Sequence, residues 1–256
     1  MLKADFHMHT NYIQPWECGH NPKELIDKLV EFGFDIACIS EHARLNWLGY
    51  QKDFPDALKT YYDFKDYAKS KGLLLIPGVE HKIEGKHVLL VNFKGEISRY
   101  KTFKDLKKLR KEHKDTIVIA PHPFFIKKMC LMNDLLNNIE LFDAIEYNSF
   151  YNRFLNLNKR GVEVANKNNK PVIGNSDAHS LMQLNHTYTL IDAKKDVNSI
   201  LEAIRLNKLK LVTRPYSIPE FFDVIYNIVL NPKRRIIKTR EFKKYIKLNK
   251  DIRLLQ

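Results

Sequence analysis

The 256-residue chain has no apolar run that approaches the roughly 20 residues a membrane span requires. Cysteine is scarce. Cys18, Cys38 and Cys130 are odd in number and widely separated, which excludes a disulfide framework and makes a reducing cytoplasm the expected compartment. No internal repeat and no low-complexity linker interrupts the pattern, so solenoids and tethered arrays are excluded. The opening residues, Met1-Leu2-Lys3-Ala4-Asp5, run straight into a strand pattern, so no signal peptide is expected. Acidic residues are outnumbered, 30 against 43 Lys and Arg, for a net charge of +13. The excess is uneven: Pro232–Gln256 holds ten Lys or Arg and two acids, and carries +8 of that total. Such a tail is either the solvated face of a terminal helix or an electrostatic footprint for nucleic acid or another polyanion.

What is present is a regular alternation. Short apolar runs read as strands at Leu2–Met8, Asp35–Ser40, Leu73–Val79, His87–Phe93, Thr116–Pro121, Ala144–Asn148 and Pro171–Asn175. Amphipathic stretches between them, at Pro22–Phe32, Pro55–Lys71, Thr102–His113 and Leu155–Asn168, read as helices. The first begins with Asn21 as N-cap and Pro22 at the first helical position, and Gly33 closes it. Strands separated by helices of this length predict parallel pairing. One joint is the exception: Glu84-Gly85-Lys86 is too short for a crossover and predicts a hairpin. After Ile191 the pattern turns mostly helical, at Val197–Lys208, Pro219–Leu230 and Thr239–Asn249. The class is α/β, and the length suits a single barrel of this kind.

Groups that bind metals stand at the C-terminal ends of nearly all these strands. His7 and His9 close the first, Glu41 and His42 follow the second, and Glu80 follows the third. His122 follows the fifth strand, Glu146 lies on the sixth, and Asp177 and His179 follow the seventh. In parallel α/β folds that end of the sheet is where loops converge on one crevice. Residues i and i+2 of a strand project to one side, so His7-Met8-His9 aims two imidazoles at one point, and Asp177-Ala178-His179 offers a carboxylate and an imidazole in the same way. Imidazole nitrogen with carboxylate oxygen suits Zn, Mn or Fe, and a carboxylate can bridge two ions. The absence of thiolates from the pattern argues against a closed structural zinc site. One His-x-His pair is common by chance. Five separate strand ends bearing such groups are not, and together they read as a site for divalent ions.

The order of these pieces resembles the polymerase-and-histidinol-phosphatase (PHP) superfamily of metal-dependent phosphoesterases. The resemblance rests on Asp5-Phe6-His7-Met8-His9-Thr10, Ile39-Ser40-Glu41-His42, Pro77-Gly78-Val79-Glu80, His87-Val88-Leu89-Leu90, Ala120-Pro121-His122-Pro123, Ala144-Ile145-Glu146-Tyr147-Asn148 and Gly174-Asn175-Ser176-Asp177-Ala178-His179. It covers residues 1–215 and leaves 216–256 as a basic helical extension. It implies a distorted, TIM-like (β/α)7 barrel with extra C-terminal helices and two or three divalent ions. By motif position one ion takes His7, His9, Glu80 and Asp177. A second shares Glu80 and takes His87 and His122. A third takes His42 and His179 with a ligand from the loop after the first strand. That loop departs from the usual pattern, and Glu17 and His20 are its candidates. Glu41 stands where an aspartate is commoner and is read as an outer partner of the ligands or an acid/base. His81 points away from Glu80 and stays outside the set.

Such a centre implies hydrolysis of a phosphoester, with Asp177 and Glu41 as the residues expected to carry catalysis. Arg44, Arg153 and Asn148 are the expected substrate contacts, with Lys127 and Lys128 on the same rim, and Asn175 is expected to orient ligands. Tyr147, Phe150, Tyr151 and Phe154 offer either ordinary packing or a surface for stacking a nucleobase. The substrates to weigh are a phosphorylated small molecule or nucleotide and, through the basic tail, single-stranded nucleic acid. A non-catalytic, metal-stabilised binding module is a further reading. An amidohydrolase-type deaminase or peptidase also begins with His-x-His, but the Asp177-Ala178-His179 block fits it poorly.

Overall fold

The structure, a computed structural model, describes residues 1–43 and 56–227. Arg44, the start of the second expected helix and the basic tail with its helix at Thr239–Asn249 lie outside the described residues. The first part of the chain runs β1 (Leu2–Met8), α1 (Pro22–Glu31), β2 (Ile36–Ile39), α2 (Lys59–Ser70), β3 (Leu74–Leu75), β4 (Gly78–Ile83) and β5 (Lys86–Val91). It continues with α3 (Phe103–Glu112), β6 (Ile117–Ala120), α4 (Asn133–Asn137), β7 (Ala144–Asn148), α5 (Lys159–Lys167) and β8 (Val172–Asn175). The last described elements are β9 (Thr187–Ile191), α6 (Val197–Arg205), β10 (Leu209–Thr213) and α7 (Ile218–Ile225).

Local chemistry explains most of these boundaries. Asn21 accepts from the backbone N–H groups of Lys23 and Glu24, and Glu24 returns a bond to Asn21 N, a full capping box ahead of Pro22. Gly33, at φ +72°, ends the helix. The expected third strand divides into β3 and β4 at Ile76-Pro77, because proline has no N–H to give a ladder. Glu84 and Gly85 both have positive φ, and Ile83 pairs with Lys86, so a two-residue turn makes the β4–β5 hairpin. The helix expected from Leu155 begins only at Lys159. Asn158 has first exchanged two hydrogen bonds with the backbone of Asn148, tying the loop to the end of β7.

The strands form two five-stranded mixed sheets, in the orders β10-β9-β1-β2-β3 and β4-β5-β6-β7-β8. Pairing is parallel for β1–β2, β2–β3, β6–β7 and β7–β8. It is antiparallel for β5–β6, although a helix separates those strands, because the hairpin has already reversed β5. β9 pairs antiparallel to β1, β10 pairs antiparallel to β9, and β10 lies within the region expected to be mostly helical. No continuous ladder joins the two sheets among the described residues. Isolated parallel bridges, Met8 to Ala178 and His42 to Glu80, connect them at two seams. Backbone bonds support both: His9 N donates to Ala178 O, Glu80 N to Glu41 O, and Ala43 N to Glu80 O. A Cβ on Gly78 would stand 2.4 Å from Cys38 Sγ and 2.6 Å from Leu90 O, so glycine is what lets β4 approach β2.

Alternate residues of the strands sort into different cores. Ala4, Phe6, Ile36, Cys38, Leu89, Val91, Ile117, Ile119, Ala144 and Ile173 form one cluster, joined by Ile200, Leu201 and Ile204 of α6. Val79, Val88, Leu90, Val118, Ala120 and Ile145 pack with Leu106 and Leu109 of α3, while Ala37 and Ile39 pack with Leu25, Ile26 and Leu29 of α1. The first cluster fills the space between the sheets, and the functional groups lie above it. The three cysteines are free and buried. Among the described residues no helix is long and apolar enough to cross a membrane.

Candidate metal centre

β1 delivers the first two imidazoles through a change of register. Its pairing with β2 shifts between Asp5 and Met8, so that Phe6 joins the inner core and the next residue, His7, also reaches the interior. Buried Asp5 secures this turn: its carboxylate accepts from His7 N at 3.1 Å and, through both oxygens, from Ser176 N at 3.2 Å. Burial pushes that carboxyl up to about 7, against the hydrogen bonds from Ser176 and His7. Asp5 therefore locks the end of β1 to the loop that carries Asp177 and His179.

Glu80, on β4, is the centre of the cluster. Its Oε1 lies 2.6 Å from His87 Nδ1 and 3.2 Å from His122 Nε2. Its Oε2 lies 2.7 Å from His42 Nδ1, 3.4 Å from His7 Nε2 and 3.5 Å from His9 Nε2. Asp177 Oδ1 is 3.4 Å from the Nε2 atoms of both His7 and His9, and 3.6 Å from His179 Nδ1. His87 stands at the start of β5, and that end reaches the mouth because the hairpin reverses the strand. Burial opposes the charge on Glu80 and Asp177, but the surrounding imidazoles outweigh it and hold both carboxyls well below the usual range.

Donor atoms within 4.8 Å of one another form four groups: His7, His9 and Glu80; His7, His122 and Asp177; His42, Glu80 and His87; and His9, Glu17, His42 and His179. Among their buried atoms His7 Nε2, His9 Nε2 and Glu17 Oε2 make no hydrogen bond. Buried polar atoms are normally paired, and lone pairs left open in a nest of imidazole and carboxylate are what divalent ions need. The donor set fits such ions.

The structure separates the two candidates in the loop after β1. Glu17 Oε1 lies 2.9 Å from His42 Nε2 and 3.9 Å from His179 Nε2. Burial would raise its carboxyl, but His42, His9 and His179 bring it down to about 2. His20 lies outside the four groups, with Nε2 3.0 Å from the carbonyl oxygen of His9, where it braces the loop. Glu41 is also outside them. It is fully buried, with Oε1 accepting from the hydroxyls of Thr10 and Thr60 and Oε2 from Thr10 N. Burial raises its carboxyl to about 7.

Asn148 is buried, and its side chain is engaged by the carboxylates of the centre. Its Nδ2 donates to Asp177 Oδ2 at 3.1 Å and to Glu146 Oε2 at 3.3 Å. Arg153, Lys127 and Lys128 are exposed on loops after β7 and β6. In the aromatic stretch, Tyr151 is buried edge-on to Tyr147, Phe150 stacks on Phe221 at 4.7 Å, and Phe154 is exposed. His81 points away from the centre, 2.5 Å from the carbonyl oxygen of Tyr100. Glu146, one of the strand-end groups in the sequence, belongs to none of the four donor groups. Its carboxylate lies 2.7 Å from His7 Nδ1. His122 and Asp177 hold positive φ values of +30° and +51°, conformations that cost about 1–3 kcal/mol each in non-glycine residues and mark sites where packing enforces geometry.

Residues 156–209 match the model of the PHP_C family, described as PHP-associated. Among solved structures, a two-domain protein from Bacteroides vulgatus ATCC 8482, containing a predicted PHP-like metal-dependent phosphoesterase, superposes with a TM-score of 0.65 at 21% identity. That match covers 83% of this chain and 65% of the other, so this chain spans just under two thirds of that protein. The chain has a PHP-like fold. PsfC from Pseudomonas syringae PB-5123 superposes with a TM-score of 0.60 at 17% identity, covering 92% of this chain and 98% of that one. No curated protein sequence matches. The resemblance to the PHP superfamily read from the motifs is thus borne out, and the PHP-like fold brings the segments that carried it to one mouth.

Proposed function

We propose that this chain is a metal-dependent phosphoesterase, acting as a phosphatase on a small phosphomonoester or nucleotide in the cytoplasm. The observation that carries the reading is Glu80: one buried carboxylate within 3.5 Å of five imidazoles drawn from four separate segments. In this reading the two seams complete a distorted seven-stranded barrel of β1, β2 and β4–β8. Residues 1–215 form the catalytic unit and 216–256 an extension.

His7, His9, Glu80 and Asp177 would hold one divalent ion, Glu80 with His87 and His122 a second, and Glu17 with His42 and His179 a third. Zn, Mn or Fe suits these donors. Such ions, when bound, lower the pKa of water toward about 7 and neutralise charge on the phosphoryl oxygens. The protein's own contribution is placement. Glu80 spans neighbouring sites, and Asp177, the least enclosed of the inner ligands, would be the one to meet an incoming substrate. Arg153, Lys127 and Lys128 supply positive charge to the rim for an incoming phosphate. Glu41 serves as a brace, because three donors occupy its oxygens.

Metal-stripped protein reloaded with Mn²⁺ or Zn²⁺ should hydrolyse a generic aryl phosphate, and Asp177→Ala should abolish turnover and lower bound metal. Unchanged activity in that variant would remove the reading. A second reading, cleavage of single-stranded nucleic acid, is favoured by the ten basic residues of Pro232–Gln256. Truncation before Pro232 separates the two: loss of oligonucleotide cleavage with aryl phosphate hydrolysis intact supports the nuclease.

A further inference from the structure

We infer that Glu146 is the positioning residue of the centre, setting three ligands from three different segments through one strand, β7. The inference rests on the metal-binding reading above and concerns how its inner ligands are held. Glu146 is 1% exposed, and each carboxylate oxygen has two neighbours. Oε1 lies 2.7 Å from His7 Nδ1 and 3.1 Å from Asn175 Nδ2. Oε2 lies 2.7 Å from His122 N and 3.3 Å from Asn148 Nδ2.

All four neighbours are donors. A backbone N–H cannot be otherwise. The two amides cannot turn over, because Asn148 Oδ1 already accepts from Phe150 N and Asn175 Oδ1 from Phe6 N, each at 2.9 Å. His7 must then carry its proton on Nδ1, facing the carboxylate, which leaves the Nε2 lone pair directed at Glu80 and Asp177. The same carboxylate fixes His122 by its backbone N–H, at a residue held in positive φ. Through Asn148, whose Nδ2 also donates to Asp177 Oδ2, it reaches the third ligand, again at positive φ. Only an acceptor-only group suits this place. Glutamine would set an amide N–H against His122 N–H or against His7 Nδ1–H. In the second case the imidazole must reverse its tautomer and lose the lone pair that faces the centre.

The Glu17–His42–His179 corner has no such link to Glu146, so the inference separates the two parts of the centre. Full-length, metal-stripped wild type and Glu146→Gln are titrated with Mn²⁺ against a competing chromophoric chelator, and the melting temperature of the stripped proteins is recorded. Glu146→Gln should bind its inner ions about 10–100-fold more weakly, retain the affinity of the Glu17 corner, and melt near wild type without metal. Glu146→Asp, which keeps an acceptor-only carboxylate, should recover part of the loss. Wild-type affinity in Glu146→Gln, or equal weakening of every ion with a lowered melting temperature, would overturn the inference. Should Glu146→Gln not fold, Asn148→Ser decides: it must weaken the inner ions alone, and any other pattern overturns the proposal. A wild-type chain that takes up no Mn²⁺ would overturn the metal reading and this inference with it.

Discussion

Glu17 and Glu41 are both buried glutamates at the mouth of the fold, near enough for Glu17 to raise the carboxyl of Glu41, yet their surroundings push them in opposite directions. Glu17 faces imidazoles from β1, the end of β2 and the loop after β8, and its carboxyl falls to about 2. Glu41 faces two hydroxyls and one backbone N–H, which cannot offset burial, and its carboxyl rises to about 7. Residue type is the same in both. What differs is whether the neighbours can carry positive charge, and that decides which glutamate suits a cation and which ties β2 to α2.

The largest test of this contrast is substitution. Glu17→Ala should remove one divalent ion per chain and lower aryl phosphate hydrolysis by about 10–100-fold, the range typical for loss of a partner in a metal site. Glu41→Gln should keep the full complement of ions, as read by elemental analysis of the purified proteins. Equal metal loss in both variants would erase the distinction.

Acid and base should then act on the two residues with opposite sign. In metal-stripped protein the folded-state pKa of Glu17 lies below its unfolded value. Its contribution to stability is therefore present above about 4.5 and lost as pH falls toward about 2. Glu41 is the reverse: its folded-state pKa is raised, so its favourable contribution holds below about 4.5 and disappears as pH rises through about 7. Each shift is of order 3 kcal/mol at one pH unit per 1.4 kcal/mol. Carboxyl carbon NMR titration of the stripped protein should give midpoints near 2 and 7, and a common midpoint near 4.5 would break the comparison.

A smaller effect concerns the outer partners of the imidazoles. The Nδ1 of His7 has the Glu146 carboxylate at 2.7 Å, whereas the Nδ1 of His122 has the Cys130 thiol at 3.5 Å. Cys130→Ser should change Mn²⁺ affinity by no more than a few-fold, well short of Glu146→Gln, because a cysteine at 3.5 Å orients a ring more weakly than a carboxylate at 2.7 Å does. A loss as large as that of Glu146→Gln, in the same chelator competition, would show the two partners to be equivalent.

Much of this molecule was legible before the fold was known. The capping box at Asn21, the turn at Glu84-Gly85 and the alternating strands are local, and local sterics and hydrogen bonding write them directly into sequence. The metal-type residues were legible as well, because i and i+2 spacing and strand-end placement are properties of the chain itself. β10 was not: its partner is β9, and a strand whose pairing is nonlocal has little signature of its own.

By itself the sequence determined the α/β class, the hairpin and the inventory of imidazoles and carboxylates, because each depends on residues near one another along the chain. Only the tertiary structure decided that Glu17 rather than His20 meets His42 and His179, that Glu41 is enclosed by hydroxyls, and that Glu146 touches His7 and His122. Those outcomes depend on the bulge in β1 and on the two seams where separate sheets touch. Such contacts arise from packing between distant segments, which no local pattern encodes.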